Sequence, residues 1–317
     1  SNNLVELIEK ALKKETEDEI RNLFLLVLAK EGLNSDDKSK RLQSIKTITN
    51  LGNNDFKTLL ESVLEKNEED EFLESDSEIR DAASNAIAKI EKRQFFKNQA
   101  ANLFYGLSLG SILLLAALGL AITFGLMGVI NMAHGEMLML GAYLTFVVQN
   151  LFKEYLPGYF ELYLIAAIPV SFLGSALVGI ILERGVIRHL YGRPLETLLA
   201  TWGISLILIQ TIRLVFGAQN VEVANPSFLS GGVEVINGIV FPYSRIAIII
   251  FVVGVVISIW MLLQKTSLGL QVRAVTQNRE MASCMGISTY KVDMYTFGLG
   301  SGVAGLGGLA LSQIGNV

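Results

Sequence analysis

The chain has 317 residues, 51% of them apolar and 18% charged, with a net charge of −4; soluble domains carry about 25% charged residues. Residues 1–97 hold 16 Lys/Arg and 21 Asp/Glu while the other 220 residues hold 10 and 9, which implies water around the first segment and lipid around much of the second. No basic patch suggests a nucleic-acid partner, and Cys284, the only cysteine, rules out an intrachain disulfide and a cysteine-based zinc cluster.

The elements begin with an amphipathic helix expected over 3–29, its stripe drawn from Leu4, Leu7, Ile8, Leu12, Leu23 and Leu26 and its end marked by Gly32 and the polar run 34–38. No apolar leader precedes it and Ser1 is not an initiator, as expected of a processed product or a fragment. Leu42, Ile45 and Ile48 mark a second helix, broken by the polar run 50–55. Phe56, Leu59, Leu60, Val63 and Leu64 mark a third. Ser77 opens a fourth, with Ile79, Ala82, Ala83, Ala86, Ile87 and Ile90 as its buried face. These short paired helices, EIRDAA at 78–83 above all, resemble HEAT-type repeats. A soluble helical head and a dedicated binding domain both fit. No histidine, cysteine or glycine-rich phosphate loop occurs before residue 98, so nothing in this domain looks catalytic.

Residues 98–317 carry six apolar stretches: 103–127, 131–148, 162–182, 195–215, 246–263 and 293–311. Each is read as a helix, including the β-branched fifth, because lipid requires every backbone amide to be paired within its own segment. The fold class is therefore all-α: a polytopic membrane protein with a soluble helical head at 1–97. Loops 183–194 and 264–292 carry most of the basic residues, whereas 217–244 has no lysine or arginine, so the positive-inside rule puts the two basic loops in the cytoplasm. Counting spans backwards then puts residues 1–97 outside, against the pull of Lys92, Arg93 and Lys97.

The second stretch draws attention to function. Asn131, His134 and Glu136 enter an otherwise apolar segment, and such groups face a protein interior or an aqueous path. Gly125, Gly128, Gly135 and Gly141 allow close helix approach or a break in the helix. Asn131 and His134 either meet solute or hold neighbouring helices together.

GVINMAHGE at 128–136, SLGLQVRAVTQN at 267–278 with Gly286 beyond it, and Glu183-Arg184 followed by Arg193-Pro194-Leu195 together resemble permeases of the branched-chain amino acid ABC importer family. The resemblance covers about residues 101–317. GLAITFGLMGVI at 119–130, with the hydrophilic head, most resembles the first permease of urea importers within that family. It implies an inner-membrane permease that forms the solute path for urea, and further spans beyond Val317. The implied partners are a second homologous permease, two cytoplasmic ATPase subunits and an extracytoplasmic solute-binding protein, without cofactor or metal. Branched-chain amino acids or another small amide are the alternative solutes, and a passive channel, an intramembrane enzyme and a membrane scaffold are the alternatives in other classes. No Walker-type phosphate loop is present, so the ATP would be hydrolysed by partner chains.

Thr123, Asn131 and His134 are the expected solute-path residues, with Gly128 or Gly135 bending the backbone and Glu136 as a gate or structural pairing. A urea-sized solute needs hydrogen bonds, whereas an amino acid needs counter-charges, for which Glu136 and Arg213 are the candidates within the spans. Gly269, Arg273, Asn278, Arg279 and Gly286 form the expected ATPase-coupling loop, with Gly269 and Gly286 as its boundaries.

Overall fold

The computed structural model describes residues 7–8, 10–12, 15, 17–52, 56–67, 70–236 and 239–315. It divides into two compact units, Ser1–Asn102 and Leu103–Val317.

In the first unit the expected 3–29 helix is interrupted. Residues 15 and 17 are not helical, and α1 runs Asp18–Leu33 with Gly32 inside it rather than ending it. Leu4 lies outside the described residues, and Leu7 and Leu23 are exposed. Helix α2, Lys38–Leu51, starts at Asp37, whose carboxylate accepts from the Ser39 amide at 2.9 Å and satisfies one of the amides that a helix start leaves unpaired. It stops at Gly52, in the left-handed region at φ +63°. Helix α3 is Lys57–Val63, and α4 is Ser77–Met127, with no glycine or proline before Gly106 to break it. Ala29, Leu33, Ile45, Ile48, Phe56, Leu60 and the α4 residues Ile79, Ala83, Ala86 and Ile90 form one apolar core, so the periodic stripes mark its buried faces.

The second unit is a helical bundle. Its helices are the later part of α4, α5 (His134–Tyr155), α6 (Tyr163–Gly185), α7 (Pro194–Phe216), α8 (Tyr243–Lys265), and α11 (Thr289–Ser312). Two short helices, α9 (Ser267–Gln277) and α10 (Arg279–Cys284), lie between α8 and α11. A small antiparallel hairpin, β1 (Gly232–Ile236) and β2 (Ile239–Pro242), precedes α8.

Five helices, α4, α6, α7, α8 and α11, are long and apolar enough to cross a membrane. Helix α5 is more polar, yet it is packed between α6 and α11 and runs antiparallel to α4 and α6. Its His134 end meets Gly119, Ser175 binds the Met137 carbonyl, and Val148 shares a cluster with Tyr163 and Leu309. Its polarity is possible because neighbouring helices, not lipid, cover that face.

Helix α11 is the spine. Gly298, Gly300, Gly302, Gly305 and Gly308 bring it against α4, α5 and α6; a Cβ built on Gly119 would lie 2.5 Å from the Gly300 carbonyl oxygen, and one on Gly300 2.7 Å from that of Gly119. Helix α8 adds Ile248, Val252 and Ile259 to a cluster with Ile112, Leu115 and Ile122 of α4 and Val303 and Leu306 of α11. Segments 128–133, 186–193 and 266–288 gather at one end of this bundle, so the two basic loops share an end. At the other end, Tyr163 donates to the Ala224 carbonyl and the Gln149 carbonyl accepts from the Ala224 amide, at 2.7 Å for the second bond, and this ties down the 217–231 segment.

Candidate functional site

The centre of interest is the junction between α4 and α5. Gly128 sits at φ +67° and ends α4 one residue after Met127, so Asn131 and His134 do not share an unbroken helix as their spacing suggests. Asn131 lies in the break, and His134 opens α5. Gly135 lies within α5 with open space around its Cα, so Gly128 alone carries the bend. An alanine side chain at a left-handed position costs about 1–2 kcal/mol. Gly128→Ala is therefore expected to destabilise the purified chain by about that amount in denaturant unfolding, while Gly135→Ala, in a helix, leaves it unchanged or slightly firmer.

The polar atoms at the break divide into used and unused. Asn131 Oδ1 accepts from the Ala133 amide at 3.0 Å, which orients the carboxamide and leaves Nδ2 buried without a partner. His134 Nε2 lies 2.8 Å from the Ala116 carbonyl; a carbonyl only accepts, so in the neutral ring Nε2 carries the proton and Nδ1 is an acceptor. Nδ1 too is buried and unpartnered. One donor and one acceptor therefore stand unfilled near the end of α4. Such groups cost about 1–3 kcal/mol each when left unsatisfied, so a structure that keeps them has a use for them or a cost to offset. Thr123 is fully buried, but its hydroxyl bonds back to the Gly119 and Leu120 carbonyls of its own helix.

A stripe on α7 closes this junction, and it was not singled out from the sequence. Thr197, Thr201 and Ser205 are spaced four residues apart and are all buried. Thr201 Oγ1 accepts from the Met132 amide at 3.1 Å, and Ser205 donates to Glu136 Oε1. The signal was present as hydroxyl residues at helical spacing inside an apolar span.

A second cluster lies at the same end. Arg279 donates to both carboxylate oxygens of Asp293, at 3.1 Å for Nη1, and lies 4.7 Å from the Tyr191 ring centre. The Asp293 carboxylate holds the Arg279 guanidinium above its ordinary range; burial first, then the Asp293 and Glu183 charges, push the Tyr191 hydroxyl well up. Glu183 is fully buried with Oε1 unpartnered. Asn278 caps α10 by accepting from the Met281 amide at 2.9 Å, and Gly286 turns the chain at φ +85° into α11. Gly269 lies within α9, where the missing side chain lets that helix pass the Leu263 carbonyl; Arg273 donates to the same carbonyl. Leu270, Met281 and Met285 remain exposed. Among the described residues no group of His, Cys, Asp and Glu is placed to hold a metal ion.

Long apolar helices packed on glycines, with buried polar atoms left unpartnered at the α4–α5 turn, define a polytopic membrane protein. Residues 102–317 match the family described as branched-chain amino acid transport system / permease component, and the chain belongs to that family. It is thus a transport subunit rather than an ATP-hydrolysing one. It is 29% identical over 213 residues to the high-affinity branched-chain amino acid transport system permease protein BraD of Pseudomonas aeruginosa, covering 66% of this chain and 69% of that one. It is likewise 29% identical over 220 residues to the corresponding protein LivH of Escherichia coli, covering 67% and 70%. A probable branched-chain amino acid transport permease LivH of Methanocaldococcus jannaschii is 30% identical over 212 residues, covering 62% and 61%. No solved structure matches the chain.

These relatives overturn the expectation of a urea permease, since none points to urea. The two features behind it do not report on solute. GLAITFGLMGVI lies largely on α4, where the contact of Gly119 with Gly300 and the bond of Thr123 to its own backbone select no particular solute. The hydrophilic head lies outside the matched residues.

Proposed function

We propose that this chain is the permease subunit of an ATP-driven importer of branched-chain amino acids, with the 123–136 segment lining the solute path. The observation that carries this reading is the break at Gly128, flanked by the unpartnered Asn131 Nδ2 and His134 Nδ1, in a family whose similar members are named for branched-chain amino acid transport. Residues 1–97 form an extracytoplasmic head, and both basic loops face the cytoplasm, where one of the two ATPase subunits docks on the 264–292 region through exposed Leu270, Met281 and Met285. A second homologous permease and an extracytoplasmic solute-binding protein complete the assembly. Arg279 and Asn278 act within the loop, as clamp and cap, and hold the shape that the ATPase meets.

The test is uptake of leucine, isoleucine and valine by the reconstituted assembly, normalised to assembled complex. Asn131→Ala and His134→Ala are each expected to lower uptake about tenfold, the scale of one lost buried hydrogen bond at the transport barrier. Normal transport per complex by both variants would remove the segment from the path, and a wild-type assembly that moves none of the three amino acids would remove the substrate class.

A further inference from the structure

A carboxylate in a spanning helix is expensive unless it is paired, and such residues face the bundle interior or a path. Glu136 is in the first turn of α5, half-buried, and its partner is neutral: Ser205 on α7 donates to Oε1, and among the described residues Glu136 forms no ion pair. An acidic residue at this place in a helix often reaches back to cap the first amide. Here that work is already done, because Asn131 Oδ1 holds the Ala133 amide. Glu136 instead turns sideways into the seam with α7, where Thr201 and Ser205 line the opposite wall. Asn131 Nδ2, buried and unpartnered, stands at the start of the same helix, the end that favours negative charge.

Resting on the permease reading above, we infer that this seam is a zwitterion subsite: Glu136, oriented by Ser205, accepts the ammonium of the amino acid, and Asn131 Nδ2 with the start of α5 receives its carboxylate. The two charges of an α-amino acid are about 3 Å apart. Asn131 and Glu136, five residues apart at the start of one helix, offer two such neighbouring groups, and the other charged candidate of the spans is farther away. Arg213 lies eight residues beyond Ser205, about 12 Å along α7, and is exposed. A serine hydroxyl suits the positioning role, because it donates to the carboxylate without neutralising it and leaves Oε2 for the ammonium.

The experiment uses the importer purified with its partner subunits, reconstituted, and supplied with saturating leucine-loaded binding protein. Leucine delivered per ATP hydrolysed is the readout, in preparations matched for assembled complex. Glu136→Gln is expected to keep stimulated ATP hydrolysis while leucine delivered per ATP falls about tenfold, with Glu136→Asp recovering part of the loss. Ser205→Ala, which keeps the carboxylate, is expected to lower the ratio severalfold and serves if Glu136→Gln does not assemble. A merely structural carboxylate would lower assembly or hydrolysis and leave the ratio intact. An unchanged ratio in Glu136→Gln, or in Ser205→Ala where only that variant assembles, overturns the subsite while the permease reading stands. A wild-type assembly that delivers no branched-chain amino acid defeats that reading and the subsite with it.

Discussion

Gly308→Ala is expected to prevent the native bundle from forming. A Cβ on Gly308 would overlap the Leu138 carbonyl and lie 3.0 Å from the Ala142 amide nitrogen, so α11 and α5 would have to separate. Overpacking costs about 1–3 kcal/mol where side chains can turn aside. Here the obstacle is backbone within a helix, and moving it also disturbs the contact at Gly141, whose Cβ position falls on the Gly305 carbonyl. The cost therefore sits at or above about 3 kcal/mol, a large share of the stability of most domains. Gly110 and Gly254 have nothing within 4 Å of a built Cβ, so Gly110→Ala and Gly254→Ala are the controls. Thermal unfolding in detergent should separate the classes, with Gly308→Ala poorly recovered or strongly shifted and the controls close to wild type. A Gly308→Ala bundle as stable as the controls would show that α5 and α11 do not pack this closely.

Arg279→Ala carries the second large effect, and its asymmetry is the informative part. The Asp293 side chain is 2% exposed, whereas that of Arg279 is 39% exposed. Removing the arginine strands a buried carboxylate within the field of Glu183, a like charge, and breaking a buried pair in this way costs about 3–5 kcal/mol. Removing the carboxylate instead leaves a guanidinium that reaches water and still stacks on Tyr191, a loss of about 1 kcal/mol, in the range of exposed pairs. Arg279→Ala should therefore unfold well before Asp293→Ala, and the double variant should be more stable than Arg279→Ala alone. A double-mutant cycle on purified protein measures this directly. Equal costs for the two single variants would contradict the burial difference.

Much of the fold was legible because it rests on local periodicity. The stripes at 42–48, 56–64 and 79–90 are the core of the first unit, and the last four apolar stretches became helices within a few residues of their expected ends, while the first is continuous with the helix that begins at Ser77 and the second runs on to Tyr155. The misses have physical reasons. Gly32 was read as a terminator, but a glycine ends a helix only where the chain needs a left-handed turn, and α1 takes that turn nowhere near it. The junction at Gly128 was legible as a possible break, but not that Asn131 would fall outside the helix and His134 inside, since both residues are compatible with either state. The seam with α7 and the Arg279–Asp293–Tyr191 cluster were invisible for another reason. Their longest links join residues 69 and 88 positions apart, and only tertiary packing decides which hydroxyl or charge meets which. Solute identity was least legible, because the contacts made by the residues that suggested urea do not distinguish one solute from another.

The bond between Thr276 and Leu126 links the end of α4 to α9. Where α4 stops, the Thr276 hydroxyl shares its proton between the Leu126 carbonyl at 3.0 Å and the Val272 carbonyl of its own helix at 2.8 Å, and Leu126 also packs against the α9 and α10 side chains Val272, Val275 and Ala282. Separating the two would lose that shared bond together with the apolar contacts of Leu126, so the tip of α4 is tethered to α9. Only Met127 stands between that tether and Gly128, whose left-handed backbone turns the chain toward α5. A shift of the short helices would therefore reach the α4–α5 turn through a lever arm two residues long, which leaves almost no slack between them.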